Sequence, residues 1–218
     1  MREAFHDELD GISLSLLQMA SLVKEAMGLA TKALLNSDLA LAEKIIQDDS
    51  IIDNIQHELD ARTISLMARQ QPVASDLRTL VTSLRMSADL ERMGDLAHHV
   101  AKQARMRYPN CAVPAELTGT IEEMGRVAVA IIDKLSAVME HRDIVRAVEL
   151  ETDDDEMDRL HRKLISTLLD DNWQHGVEAA IDMTLLGRYY ERCADHAVSI
   201  ARRVYFLVTG EYNNASND

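Results

Sequence analysis

The sequence predicts an all-α fold made of two tandem, pseudo-symmetric three-helix bundles. Three observations lead there: a helix-favouring composition, apolar residues at alternating spacings of three and four, and an internal repeat. Aromatic residues make up 4% of the chain, with eight glycines and three prolines, while Leu, Ala, Met, Arg and Glu abound, so strands have little to draw on. At 218 residues and 47% hydrophobic content, the chain can bury an ordinary core without covalent staples.

The first apolar stripe, Leu9, Ile12, Leu16, Met19, Val23, Ala26 and Ala30, marks a long amphipathic helix. After the Asn36-Ser37 break, Asp38 is a suitable N-cap for a second helix that buries Ile52, Ile55, Leu59 and Leu66 and stops before Pro72. The third helix is expected to start at that proline, which suits a first turn, and to bury Met86, Leu90, Met93, Ala97, Val100 and Ala104. Two prolines in Tyr108–Pro114 make the clearest break in the sequence. Beyond it Leu117, Met124, Val127, Ile131, Leu135 and Val138 restart the pattern, and further helices begin near Asp143 and Val177. The expected organisation is a first bundle over 1–107, a linker over 108–114, a second bundle over 115–210 and a polar tail over 211–218.

The repeat ties these elements into two copies. Sliding the chain by 105 residues places Asp38, Ala42, Asp48, Asp49 and Asp53 on Asp143, Ala147, Asp153, Asp154 and Asp158. Sliding it by 100 places Glu91, Arg92, Asp95, Ala97 and Ala101 on Glu191, Arg192, Asp195, Ala197 and Ala201. The core stripe of the third helix becomes Leu186, Tyr190, Cys193, Ala197, Ile200 and Val204. The change of offset predicts a shorter turn in the second copy, around Asp170 to Gly176, where a deletion costs little.

Charge and cysteine usage exclude several functions. A net charge of −14 repels phosphate backbones and anionic lipid, which argues against nucleic acid or bare membrane as a primary partner and leaves cations and basic protein surfaces. Cys111 and Cys193 are too few and too far apart in sequence for a disulfide framework or zinc ribbon, which fits a reducing cytoplasm. The charged N-terminus and the lack of a long apolar run predict neither export nor membrane insertion.

Each copy carries two acidic pairs at i, i+4: Asp49 with Asp53, Glu91 with Asp95, Asp154 with Asp158, and Glu191 with Asp195. Such like-charged pairs destabilise an isolated helix by about 0.2–0.5 kcal/mol each, a cost that a bound cation reverses. One pair alone is an ordinary solvated face; four pairs at equivalent places ask for a common reason. On helical angles, Glu91 and Asp95 should point away from the Met86–Val100 stripe and out of the bundle. Antiparallel neighbours would then gather four carboxylates per bundle along one groove. Oxygen donors suit hard cations such as Mg, Mn, Ca or Fe, with Zn less favoured. His57, His98 and His99 lie near the first set but lack counterparts in the second, so they are left out of the site, and a ferritin-like di-iron centre is disfavoured. Arg92 and Arg192 read as salt-bridge or interface residues, and Met86 and Met93 as core.

The stretches Pro72-Val73-Ala74-Ser75-Asp76-Leu77-Arg78, Asp89–Ala97 with its Glu91-Arg92-Met93-Gly94-Asp95, and Arg188–Ala197 with Glu191-Arg192-Cys193-Ala194-Asp195 resemble the PhoU family over nearly the whole chain. Ala194 stands where that family commonly has glycine. The resemblance implies a non-enzymatic cytoplasmic regulator of phosphate uptake, working between the ATPase of the phosphate ABC transporter and the phosphate-sensing histidine kinase. Such a regulator restrains uptake and starvation signalling when phosphate is plentiful. It also implies a homodimer and multinuclear clusters of divalent or trivalent metal, Fe, Mn, Mg or Zn, held by Asp49, Asp53, Glu91, Asp95, Asp154, Asp158, Glu191 and Asp195. Two other readings compete: a metal-dependent phosphoesterase, disfavoured because no nucleophile–base pair or phosphate-cradling glycine loop is evident, and a purely structural helical protein.

Overall fold

A computed structural model describes residues 2–211, so the expected polar tail beyond Glu211 lies outside the described residues. Six helices follow in order: α1 (Arg2–Asn36), α2 (Leu39–Gln70), α3 (Ala74–Arg107), α4 (Thr118–His141), α5 (Ile144–Leu168) and α6 (Gly176–Thr209). A short 3-10 turn, Ala115–Leu117, leads into α4. The described residues contain no strand.

The repeat extends to the turns. Ser37 and Arg142, equivalent by the 105-residue offset, both adopt φ of +52°. The aspartates that follow cap the next helices: Asp38 Oδ1 accepts from Leu41 N at 3.0 Å, and Asp143 Oδ1 accepts from Val145 N and Arg146 N at 3.0 and 3.1 Å. Each cap satisfies backbone donors that the first turn leaves unpaired.

Two boundaries differ from expectation. Pro72 is not in the first turn of α3; it sits in the connection 71–73, after Gln71 has closed α2 in a left-handed conformation, and α3 begins at Ala74. The missing residues of the second copy come from the helix, not the turn. α5 has 25 residues against 32 in α2, while its connection to α6, 169–175, is longer than 71–73. That connection is anchored by Trp173, whose ring packs on the core and whose Nε1 donates to Gly176 O at 2.9 Å.

Both bundles share one continuous core. α1 lies antiparallel to α4, with Lys24 paired to Asp133 at 2.7 Å near one end and Thr31 packed on Gly125 further along. A Cβ on Gly125 would approach the Thr31 side chain to 2.5 Å, so this crossing requires glycine. α3 and α6 cross in the same antiparallel sense. Tyr190 of α6 is fully buried, and its hydroxyl lies 2.8 Å from Thr31 Oγ1. The Thr31 hydrogen is used on Met27 O, so Tyr190 donates. The segment Tyr108–Pro114 is packed rather than free, with Ala112 and Val113 buried and Cys111 Sγ against the carbonyl oxygens at the end of α1.

Candidate metal centres

α3 has two packed faces, one on α1 and α6 and the other on α2, and this places its acidic residues. Gly94, beside Glu91 and Asp95, is buried with Ile52 Cδ1 3.0 Å and Asp49 Oδ1 3.6 Å from where a Cβ would stand. Glu91 and Asp95 therefore do not point out of the bundle as helical angles suggested. Their side chains are 25% and 34% exposed at the edge of the α2–α3 groove, opposite Asp49 and Asp53.

In the first half these four carboxylates act on one another. Burial raises the Asp53 pKa, and Asp49 and Asp95 raise it further, against the lowering influence of His57 and His98. Burial likewise raises that of Glu91, and Asp95, Asp53 and Asp49 add to it while Arg92 opposes. The second half is more strained. Asp154 is pushed up to about 7, first by burial and then by Asp195, Asp158, Asp155 and Glu191, and its Oδ1 is buried without a hydrogen-bond partner.

Arginines at the groove rim draw several of these oxygens aside: Arg92 Nη1 lies 2.9 Å from Asp95 Oδ2, Arg188 pairs with Glu191 and Arg162 lies 3.9 Å from Asp158. Asp195 is exposed. Among the described residues no three His, Cys, Asp or Glu side chains stand in ligating geometry as they are placed. The groove thus gathers each set of four without closing it on one point, with arginines holding Asp95, Asp158 and Glu191 at the rim.

Two histidines stand beside the carboxylate sets. His98 Nδ1 is held by the Asp49 carboxylate while its Nε2 is buried and unpartnered. His161 Nδ1 lies 3.9 Å from Glu191 Oε1. The 105-residue offset matches His57 to Arg162 and so passes His161 by one position. His99 instead stacks on Tyr189 of α6, with centroids 5.2 Å apart, and its pKa is lowered by burial, Lys102 and His98. The donor set fits a hard cation, because buried oxygens already repel one another and one lacks any partner.

A separate polar cluster joins the halves. Asp89 of α3 accepts from His196 Nδ1 at 3.0 Å, Ser199 Oγ at 3.3 Å and Arg203 Nε at 3.1 Å. Burial pushes the Asp89 pKa up, but the hydrogen bonds from His196 and Arg203 outweigh it, and the group ends below its ordinary value.

The chain matches the PhoU domain twice, over residues 16–104 and 121–204. It is 47% identical to the phosphate-specific transport system accessory protein PhoU homolog 2 of Mycobacterium tuberculosis, over 97% of this chain and 100% of the relative. It is 31% identical to the corresponding Rhizobium meliloti homolog, over 95% of this chain and 88% of the relative. The crystal structure of PhoU from Pseudomonas aeruginosa superposes with a TM-score of 0.86 at 27% identity, covering 95% of this chain and 100% of that one. Two domain matches, placed on the two copies of the repeat, and full-length similarity make this chain a member of the PhoU family.

Proposed function

We propose that the protein is a metal-binding accessory regulator of phosphate transport. In this reading it acts in the cytoplasm as a homodimer and an adaptor between the phosphate ABC transporter ATPase and the phosphate-sensing histidine kinase, restraining both when phosphate is plentiful. The accessory role follows the relatives named for the phosphate-specific transport system. The observation that supports the metal reading is Asp154, a half-buried carboxylate with an orphaned oxygen, ringed by Asp158, Glu191 and Asp195.

Asp49 and Asp53 on α2 with Glu91 and Asp95 on α3 would hold one set of ions, and Asp154 and Asp158 on α5 with Glu191 and Asp195 on α6 the other. A bound cation supplies the positive charge that these groups lack. The residues themselves join α2 to α3 and α5 to α6, and so couple occupancy to the orientation of long helix faces that partners can grip. No catalytic step is part of this reading.

Elemental analysis of protein purified without chelator tests the metal, and pull-down with the transporter ATPase and the kinase tests the partners. Stoichiometric Fe, Mn, Mg or Zn that falls in a Glu91→Ala, Glu191→Ala double variant is expected. Metal content unchanged by that variant would remove the metal from the account. Turnover of a generic phosphoester by metal-loaded protein, abolished in Asp95→Ala, would replace the regulator with an enzyme.

A further inference from the structure

Outside the carboxylate clusters, the first three turns of α3 and the last turns of the antiparallel α6 enclose an open groove of about 430 Å³. Its floor is apolar, with Leu77 and Val81 40% and 38% exposed and Phe206 beside them. Its other walls carry three guanidinium groups, Arg78, Arg85 and Arg203, and no carboxylate lines it. On a chain of net charge −14 this is a local island of positive charge. Arg78 is held over the Phe206 ring, 5.1 Å from its centroid, and Arg203 is tied to Asp89 at 3.1 Å. Arg85 is exposed.

The repeat provides a contrast. The 100-residue offset places Arg78 on Glu178, Thr82 on Asp182 and Leu207 on Arg107. In that copy Arg107 Nε donates to Asp182 Oδ2 at 2.6 Å and Nη1 pairs with Glu178, so the equivalent place is filled by internal ion pairs. The copy between the start of α3 and the end of α6 instead presents basic walls over an apolar floor, with Arg203 paired with Asp89 and Arg85 exposed.

We infer that the groove of Leu77, Val81, Phe206, Arg78, Arg85 and Arg203 docks an acidic amphipathic helix of a partner protein. Leu77, Val81 and Arg85 follow one another at i, i+4 and i+8, and the groove from Ala74 to Arg85 runs about 17 Å at 1.5 Å per residue. That length takes roughly three turns of helix, whose apolar side chains at i, i+4 and i+7 meet the floor while flanking Asp or Glu meet the guanidiniums. The net charge of −14 disfavours an acidic segment on the surface at large, while the groove's guanidiniums favour it here. The same acidic surface disfavours a flat anionic bilayer, which would have to approach far more than this one groove. The groove is separate from both carboxylate clusters, so this inference and the metal reading can fail independently.

The test is fluorescence anisotropy with a labelled, acetylated 16-residue helical peptide carrying Leu at i, i+4 and i+7 and Glu at flanking positions, against the same peptide with Lys for Glu. The acidic peptide is expected to bind at least about tenfold more tightly than the basic one. Arg85→Glu, at an exposed position, should weaken it about tenfold, and Val81→Asp should abolish it. Ile181→Asp, at the position equivalent to Val81, should leave binding unchanged, and thermal melts and metal content of the variants should match the parent. Equal affinity for the two peptides, no measurable binding of either, or indifference to Arg85→Glu would overturn the proposal. So would co-sedimentation with phosphatidylglycerol vesicles that Arg85→Glu abolishes, which would assign the groove to lipid.

Discussion

In the first half of the molecule Asp53 faces Asp49 and Asp95 but also His57 and His98, whose charges oppose the rise of its pKa. In the second half burial and Asp195, Asp158, Asp155 and Glu191 dominate Asp154, which reaches about 7, while His161 stands 3.9 Å from Glu191. The helices α2 and α5 that carry half of each set share aspartate N-caps and the left-handed Ser37 and Arg142 before them. The difference shows that a duplicated motif repeats its carboxylate positions but not its electrostatics, which neighbouring side chains set.

The largest expected effect is that of the metal itself. A divalent cation at a hundred times its dissociation constant should stabilise the chelator-treated protein by about 2.7 kcal/mol per independent site. Denaturant titration with and without the ion measures it, and the comparison is sharpened if Asp53→Asn and Asp154→Asn each remove their own share. Sites that lose their shares together would break the picture of two separate halves.

Next comes the junction between the halves. Replacing Asp89 by Ala strips His196, Ser199 and Arg203 of their common acceptor and should cost about 2–3 kcal/mol in urea melts, because it leaves a half-buried guanidinium unpaired. Tyr189 holds the equivalent place in the other copy, where it stacks on His99. Tyr189→Ala should cost less, since no buried charge is orphaned.

The two kinds of aspartate give opposite pH dependence. The native state of the metal-free protein keeps a proton on Asp154 that the unfolded chain has already released. Stability from this group therefore falls as pH rises from about 4 through about 7. Asp89, whose pKa is lowered, works the other way: its contribution is present above its unfolded value and is lost in more acidic solution. Thermal melts of chelator-treated protein between pH 4 and 8 should show the decline, and Asp154→Asn should flatten it.

The smallest expected effect concerns Gly94 and its counterpart Ala194. Ala194 is 1% exposed and lies mid-helix, so Ala194→Gly should destabilise by about 1 kcal/mol through lost helix propensity and packing. Circular dichroism melts will show it.

Much of this was legible in the sequence. The apolar stripes of Ile12–Ala30 and Leu186–Val204, the caps at Asp38 and Asp143 and the repeat offsets depend on local periodicity and capping chemistry, and the structure has them where the spacing put them. The pairing of α2 with α3 and of α5 with α6 also followed from the short connections. What spacing could not convey was which helix has two packed faces. The Met86–Val100 stripe marks one buried side of α3 and predicts Glu91 and Asp95 facing outward, whereas Gly94 packs on Ile52 from a second side. His98 is near the first set in the sequence but lacks a counterpart at the equivalent place in the second copy, so the repeat sets it aside. His161 falls one residue off the repeat register of His57, and its approach to Glu191 depends on how the helices cross.

The most direct test of the central claim, that these carboxylate sets are cation sites, is the melting temperature of Asp154→Asn compared with the parent, each with chelator and with a saturating divalent ion. The account predicts that at pH 8 the chelator-treated variant melts higher than the chelator-treated parent, because one repelling charge is gone, and that it gains less from the ion. A variant that melts lower without metal, or that gains as much from the ion as the parent does, would contradict it.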